Sequence, residues 1–312
     1  MRVVVTGAAG FIGSHVADAL VARGDQVIAL DDLSGGRREN VNRGAELVQL
    51  DIRDPAAAHL IRDRRPQAVV HHAAQISVSR SVREPAFDHD VNVSGSLNLL
   101  EAARETGARF VFASTGGALY GDAEVLPTPE THPAWPVSPY GISKLAIEHY
   151  LHGYRAQYGL SYAALRYANV YGPRQDAHGE AGVVAIFALA LLEGRPATIH
   201  GSGNDTRDYI QVGDVVRANL LALDSAECGH FNVGTGVQTS TNRVFELVRD
   251  ELRPGAEARH GPPRAGDLRA SALDCSLIER VLGWRPEVGL ERGLRETAIW
   301  FRASLEARPA RS

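Results

Sequence analysis

The first 170 residues alternate between two hydrophobic periods, and that alternation restricts the fold more than any other feature of the chain. Short runs rich in β-branched residues at 3–6, 26–30, 47–50, 68–72 and 109–114 fit buried strands. Between them lie segments with apolar residues three and four apart, such as 12–23 and 90–106, which fit amphipathic helices. Parallel strands need a crossover to return to the same edge, so this sustained alternation predicts an α/β, doubly wound parallel sheet. Gly24 and Gly107 stand where two of the helices should end. Ser138-Pro139 offers an N-cap and a first-turn proline to a further helix that runs to about Tyr158, before Gly159. A sixth strand is expected over 163–170. Beyond Gly172-Pro173 the pattern is less regular and implies a smaller mixed α/β lobe, helical at 274–282 and 290–305.

Where the first strand ends the chain reads TGAAGFIGSH, which sets Gly7, Gly10 and Gly13 three residues apart. Glycines there permit a tight turn and let a pyrophosphate approach the backbone N–H groups of the following helix, at Phe11 and Ile12. The second strand ends at Asp31-Asp32, followed by Leu33-Ser34. A carboxylate at that tip can accept the ribose hydroxyls of an adenosine and repel a 2′-phosphate, which favours NAD over NADP. Arg37 and Arg38 moderate the preference. Asp51-Ile52, after the third strand, are placed to flank the adenine. The small Ala73-Ala74 with Gln75, after the fourth, lie where a dinucleotide would cross the sheet edge.

One lysine stands among the 33 basic residues, Lys144, four residues after Tyr140. On the helix expected there the two project from one face. A phenol with a pKa of about 10 is a poor base at neutral pH unless its anion is stabilised. A neighbouring ammonium does that, helped by the positive nicotinamide ring. The compact head of lysine can also hydrogen-bond a ribose hydroxyl, a task for which arginine's broad fork is a poor substitute. A third group is expected from the end of the fifth strand, FASTGGALYG, because ligands bind at the carboxyl edge of such sheets. Ser114 and Thr115 both offer hydroxyls there. Thr115 is favoured, and Ser114 stays open.

Composition removes several other classes. A formal charge of −4 without a Lys/Arg tract argues against nucleic acid. The longest apolar run, VVAIFALALL at 183–192, is too short to cross a bilayer. The opening MRVVVTG moves straight into a strand pattern with no secretory h-region. Cys228 and Cys275 form no disulfide or metal framework and fit a reducing cytoplasm. Adjacent His71 and His72 should face opposite sides of a strand, and no carboxylate motif accompanies His149 and His152, so no metal site is expected.

Taken together, TGAAGFIG, the Asp31 strand tip, STGGALYG and Tyr140-x3-Lys144 resemble the extended short-chain dehydrogenase/reductases over essentially the whole chain. Within that superfamily the chain most resembles the UDP-glucose (UDP-galactose) 4-epimerases, through LRYANVYGPRQ (165–175), TRDYIQVGDV (206–215) and RAGDLRAS (264–271). The resemblance implies an NAD-binding Rossmann domain over 1–168, to which 208–236 returns, and a nucleotide-sugar lobe over 169–207 and 237–312. It implies Asn92 near the nicotinamide and the reacting sugar, Tyr167 beside the cofactor, and Asn169 at the diphosphate. Arg207 and Arg264 would clamp phosphates, a role that suits guanidinium geometry. His200 would lie against the uracil, with Val183 and Asp267 in the same pocket. It further implies a homodimer built on the helices at 90–106 and 139–158.

The implied reaction is NAD-dependent epimerisation of a UDP-hexose at C4 through a transient 4-keto sugar. Related dehydratases carry an Asp-Glu pair after the Thr, and decarboxylases usually a Glu. Here Gly116-Gly117 follow, and neither can move a proton. A C4 epimerase of UDP-glucuronate stays open, whereas the intact Tyr, Lys and hydroxyl set argues against a non-catalytic NAD-binding protein. Ser271 stands where epimerases restricted to unmodified hexoses carry a bulky tyrosine, which implies room for an N-acetyl group. Thr115 lies six residues before Gly121, one more than in many relatives, so the choice between the two hydroxyls is not closed.

Overall fold

A computed structural model describes residues 1–177, 182–263 and 268–306. Arg264 and Asp267 lie outside the described residues. The chain begins with β1 (Arg2–Thr6), α1 (Phe11–Ala22), β2 (Gln26–Asp31), β3 (Glu46–Gln49), α2 (Pro55–Arg64) and β4 (Ala68–His71). Short α3 (Val78–Arg83) and α4 (Pro85–His89) lead into α5 (Ser96–Thr106), β5 (Arg109–Thr115), the single turn α6 (Gly116–Leu119), α7 (Pro139–Tyr158) and β6 (Tyr162–Tyr167). Next come β7 (Asn169–Tyr171), α8 (Val183–Leu192), β8 (Thr198–His200), β9 (Thr206–Gln211), α9 (Val212–Asp224) and β10 (Gly229–Val233). The last elements are β11 (Gln238–Ser240), α10 (Thr241–Leu252), β12 (Arg259–Gly261), α11 (Ser276–Leu282) and α12 (Leu290–Glu306).

Seven parallel strands form the main sheet in the order β10-β6-β5-β4-β1-β2-β3. Both faces are covered, and the strands show it residue by residue. Val3 and Val5 join one core with Val16 and Leu20 of α1 and Val215 of α9, while Val4 joins the other with Ile61, Leu100 and Ile147. Each such side chain contributes about 1.5–3 kcal/mol on burial. Strand order reverses between β1 and β4, and a doubly wound sheet opens its binding crevice at the carboxyl ends beside that reversal. A three-stranded sheet, β11-β9-β7, and a two-stranded one, β12-β8, sit with a third core built around Tyr171, Phe187, Phe245 and Leu294. Among the described residues no helix is long and apolar enough to cross a membrane.

Three elements differ from the sequence expectation, and two of the differences shape the site. The strand expected over 163–170 is two strands. β6 ends at Tyr167, the Ala168 N–H binds the Val233 carbonyl at 2.9 Å, and β7 resumes in the smaller sheet. A hydrophobic run cannot disclose that its chain changes sheets. The helix expected over 90–106 opens with one wide turn at Asp90–Gly95 before α5. There the Ser96 hydroxyl donates to the Asn92 carbonyl at 2.6 Å, a side-chain bond that competes with the regular ladder. The helix expected from 274 starts at Ser276, since Asp274 accepts the Ser276 N–H in a turn instead.

Candidate active site

The start of α7 places the reacting pair. The Ser138 hydroxyl accepts the Gly141 N–H at 3.2 Å, Pro139 occupies the first turn, and Tyr140 and Lys144 follow on one face. Gly141 lets the turn pack closely, because a Cβ there would meet the Ala118 carbonyl oxygen at 2.6 Å. Lys144 is buried, donates to the Ala113 carbonyl at 3.0 Å, and sits 4.8 Å above the Phe112 ring and 5.9 Å from the Tyr140 ring. Burial depresses its pKa to about 8, and the Asp88 carboxylate partly opposes that fall. Tyr140 is pushed up to about 12 by burial first and Asp88 second, while a hydrogen bond with Thr115 pulls it back.

The two candidate hydroxyls part company here. Thr115 reaches Tyr140, and its Oγ1 also accepts the Ala118 N–H at 3.2 Å. Ser114, one residue earlier, donates to Glu148 at 2.5 Å. Glu148 is in turn paired with Arg166, both nearly sealed from solvent, and Arg166 donates to the Tyr120 hydroxyl at 2.7 Å. The Ser114 hydroxyl is thus engaged in this network, although the residue also lines the cavity beside Tyr140.

The glycine turn meets the demands of a dinucleotide cradle. Gly7 has φ +67°, and a Cβ on it would lie 2.7 Å from the Ala73 nitrogen across the strand reversal. A Cβ on Gly13 would lie 2.2 Å from the Gly7 carbonyl oxygen, so only glycine lets α1 start this close to β1. Gly10 caps α1 without a side-chain bond, and the first turn carries no acid, which suits an incoming anion. Asp31 is buried and accepts the Ala9 and Leu33 N–H groups, both at 2.8 Å, leaving further lone pairs on its oxygens. Burial raises its pKa, against the pull of those two bonds. Asp32 is exposed and turned to the Ser34 N–H and hydroxyl.

Other expected cofactor residues are already engaged within the protein. Asp51 is gripped by Arg53, whose bonds hold its carboxyl below the usual range, and Ile52 is packed in the core beside Val93. The Gln75 amide binds Ser77 and Asp88, and Asn92 spans the Gln75 backbone and Asp88. These two amides shape the loop after β4 through those bonds. His71 and His72 diverge as expected: His71 binds Thr6 and Ser96, and His72 stacks on Tyr167.

A cavity of about 520 Å³ brings the reacting and substrate candidates together. Phe11, Ile12, Thr115, Tyr140 and Tyr167 line one side, and Asn169, Val183, His200 and Arg207 the other. Asn169 reaches it because β7 begins where the chain leaves the main sheet. Ser271 does not line the cavity. Its N–H binds the Thr206 carbonyl at 3.1 Å and the residue is buried behind that strand. Asp31, Asp32, Leu33, Ser34, Ala73 and Ala74 lie outside it, along the strand ends toward β2 and β4.

Residues 3–234 match the NAD dependent epimerase/dehydratase family. The chain belongs to that family. NAD is accordingly its cofactor, and the cradle at Gly7 and Gly13 fits it. The UDP-glucose 4-epimerase of Mycolicibacterium smegmatis is 49% identical over 309 residues, 97% of this chain and 99% of its own length. A crystal structure of the Thermotoga maritima UDP-glucose 4-epimerase with UDP-glucose is 50% identical, with a TM-score of 0.95 over 98% of this chain and all of that one. The Thermus thermophilus UDP-glucose 4-epimerase in complex with NAD is 48% identical, with a TM-score of 0.92 over 97% of this chain and all of that one.

Two residues of this epimerase/dehydratase family member escaped the sequence reading. Asp88 carried one signal, its place four residues before Asn92 on a helical stretch. Leu273 carried none. Its Cδ1 would lie 2.4 Å from a Cβ on Gly116, so a side chain from a distant part of the chain closes the space beside Thr115.

Proposed function

We propose that the protein interconverts UDP-hexoses at C4, UDP-galactose with UDP-glucose, with no net oxidation. The observation that carries this reading is Tyr140 and Thr115 together at one cavity with Lys144 5.9 Å from the Tyr140 ring, followed by Gly116-Gly117 with Leu273 packed over the first. An acid beside Thr115, which water or carbon dioxide loss would require, has no space at position 116 and is absent at 117. The likeness to UDP-glucose 4-epimerases at about half identity supports the same reaction.

NAD, when bound, supplies the acceptor and later the donor of hydride at C4. Tyr140 takes the proton of the 4-hydroxyl and afterwards returns one to the same oxygen, once the keto sugar has presented its opposite face to the nicotinamide. Lys144 keeps the phenolate accessible by its charge. Thr115 holds the reacting hydroxyl and the phenol in line, which supplies the orientation that proton transfer needs. Asn169 and Arg207 bind the diphosphate, Val183 and His200 the uridine. Asp31 accepts the adenosine ribose. Residues 1–168 with 208–236 form the cofactor domain, and the remaining segments the sugar-nucleotide lobe. The enzyme works in the cytoplasm as a homodimer that pairs α5 and α7. Likeness to a UDP-N-acetylglucosamine 4-epimerase of Methanobrevibacter ruminantium, 35% identical with a TM-score of 0.93, supports turnover of the N-acetylated sugars as well.

Incubation with UDP-galactose, UDP-N-acetylgalactosamine and UDP-glucuronate, separately, tests this. Equilibration of the first two at C4 is expected. Loss of water or carbon dioxide, or turnover of the uronate alone, overturns the reading.

A further inference from the structure

One carboxylate that the proposed chemistry leaves unassigned is sealed inside the site. Asp88, on α4, is fully buried. Its Oδ1 accepts from Gln75 Nε2 at 2.8 Å and Asn92 Nδ2 at 3.0 Å, and its Oδ2 accepts from Ser143 Oγ at 2.7 Å. All three donors are neutral. The arginines closest to α4, Arg53 and Arg80, lie over the Phe87 ring and spend their charge on Asp51, Asp90 and Glu84. A buried carboxylate without a cation costs several kcal/mol, and a nearby positive charge lowers that cost.

Lys144 has the complementary need. It is a buried ammonium with three donors, one of which meets the Ala113 carbonyl. Ser143, which holds Asp88, is its neighbour in the chain, and Asp88 is the carboxylate whose field reaches both Lys144 and Tyr140. The other titratable groups that face Lys144 come from the end of β4. His71 and His72 are both kept neutral by burial, His72 down to about 3. Asp90, in the wide turn, is exposed and paired to Arg53.

We propose that Asp88 is a positioning residue: its carboxylate is the counter-charge of Lys144, and its hydrogen bonds lock the Tyr140–Lys144 face of α7 against the loop after β4. Three elements converge on it: Gln75 after β4, Asn92 in the wide turn, and Ser143 on α7. The anion favours the ammonium and opposes the phenolate, so it holds the pair as phenol and ammonium until a positive nicotinamide offsets it. This rests on the roles proposed for Tyr140 and Lys144.

Lys144 is the only lysine, so lysine-selective isotope labelling gives one side-chain NMR signal to follow against pH. In the wild type its midpoint is expected at about 8. Asp88→Asn keeps the acceptor for Gln75 and Asn92 and lets Ser143 turn to accept, while the charge is lost. Its midpoint should fall by about one pH unit or more, and the alkaline limb of kcat should move down with it. An unchanged midpoint in D88N overturns the proposal. Should D88N fail to fold, the wild-type signal still decides: a midpoint of about 5–6, the range of buried lysines without a counter-charge, also overturns it. Ser143→Ala leaves the charge in place, so a lower kcat with an unmoved midpoint supports the locking role, and wild-type kcat removes it. The titration needs no substrate. A wild type inactive on UDP-galactose would sink the C4 reading and leave this test standing.

Discussion

The end of β5 separates two polar clusters made of similar residues. On one side Ser114, Glu148, Arg166, Tyr120 and Asn232 form a closed chain: Tyr120 donates to Asn232 at 2.8 Å, and Asn232 donates onward to the carbonyls of Thr128 and Asp274. On the other, Thr115 and Tyr140 border a cavity, and Lys144 beside them spends one of its three donors on the Ala113 carbonyl. Both sides have a hydroxyl, a tyrosine and a cation. What separates them is completeness: a saturated network holds shape, whereas unspent donors and acceptors are available to a substrate.

Substitutions on the two sides should therefore fail in different ways. The largest loss is expected for Tyr140→Phe. Turnover of UDP-galactose should drop by about 10³–10⁴-fold, within the span of a lost acid–base group, with NAD affinity and thermal midpoint near wild type. Glu148→Gln strikes the closed side. It breaks a buried ion pair, and chemical denaturation should show a loss of about 3–5 kcal/mol, with turnover per folded molecule little changed. If E148Q instead abolished turnover without loss of stability, the contrast would collapse. Thr115→Val should lower kcat by about 100-fold with a small change in stability, and Ser114→Ala should do the reverse. Equal effects from both on kcat would mark Ser114 as a reacting hydroxyl too.

How much of this was legible in the sequence follows from the range of the interactions. Gly7, Gly10 and Gly13, Tyr140 with Lys144, and the strand–helix alternation are local signals, set by turn geometry and helical spacing within a dozen residues. They survive folding unchanged. The choice between Ser114 and Thr115 depends on which residue of α7 each hydroxyl meets, Glu148 or Tyr140, and that needs the helix packed on the sheet. Asn169 reaches the cavity because a single hydrophobic run divides between two sheets at Ala168. Leu273 over Gly116 and Asp88 bonded to Ser143 are contacts between distant segments, and neither residue differs locally from an ordinary core leucine or helix acid. Ser271 rests on local likeness alone: among the described residues it is a backbone partner of Thr206 and does not line the cavity.

The two buried cations sharpen the comparison with the smallest expected effect. Burial opposes charge on Arg166, but the bonds from Glu148 outweigh it and raise its pKa, so it stays charged at any accessible pH. Lys144 is depressed to about 8 and loses its charge as pH rises through that value. Turnover should therefore fall about tenfold per pH unit above about 8, as phenolate stabilisation is withdrawn. The contribution of the same group to stability runs the other way. Its folded pKa lies below the unfolded 10.5, so burying the ammonium opposes folding below about 8, and that cost is relieved as pH climbs between the two values. Activity and thermal midpoint measured from pH about 7 to about 9.5 should thus diverge. Lys144→Arg supplies the control, because a guanidinium does not deprotonate there. Its turnover should be low but free of the limb at about 8. A limb retained in K144R would assign that titration to another group.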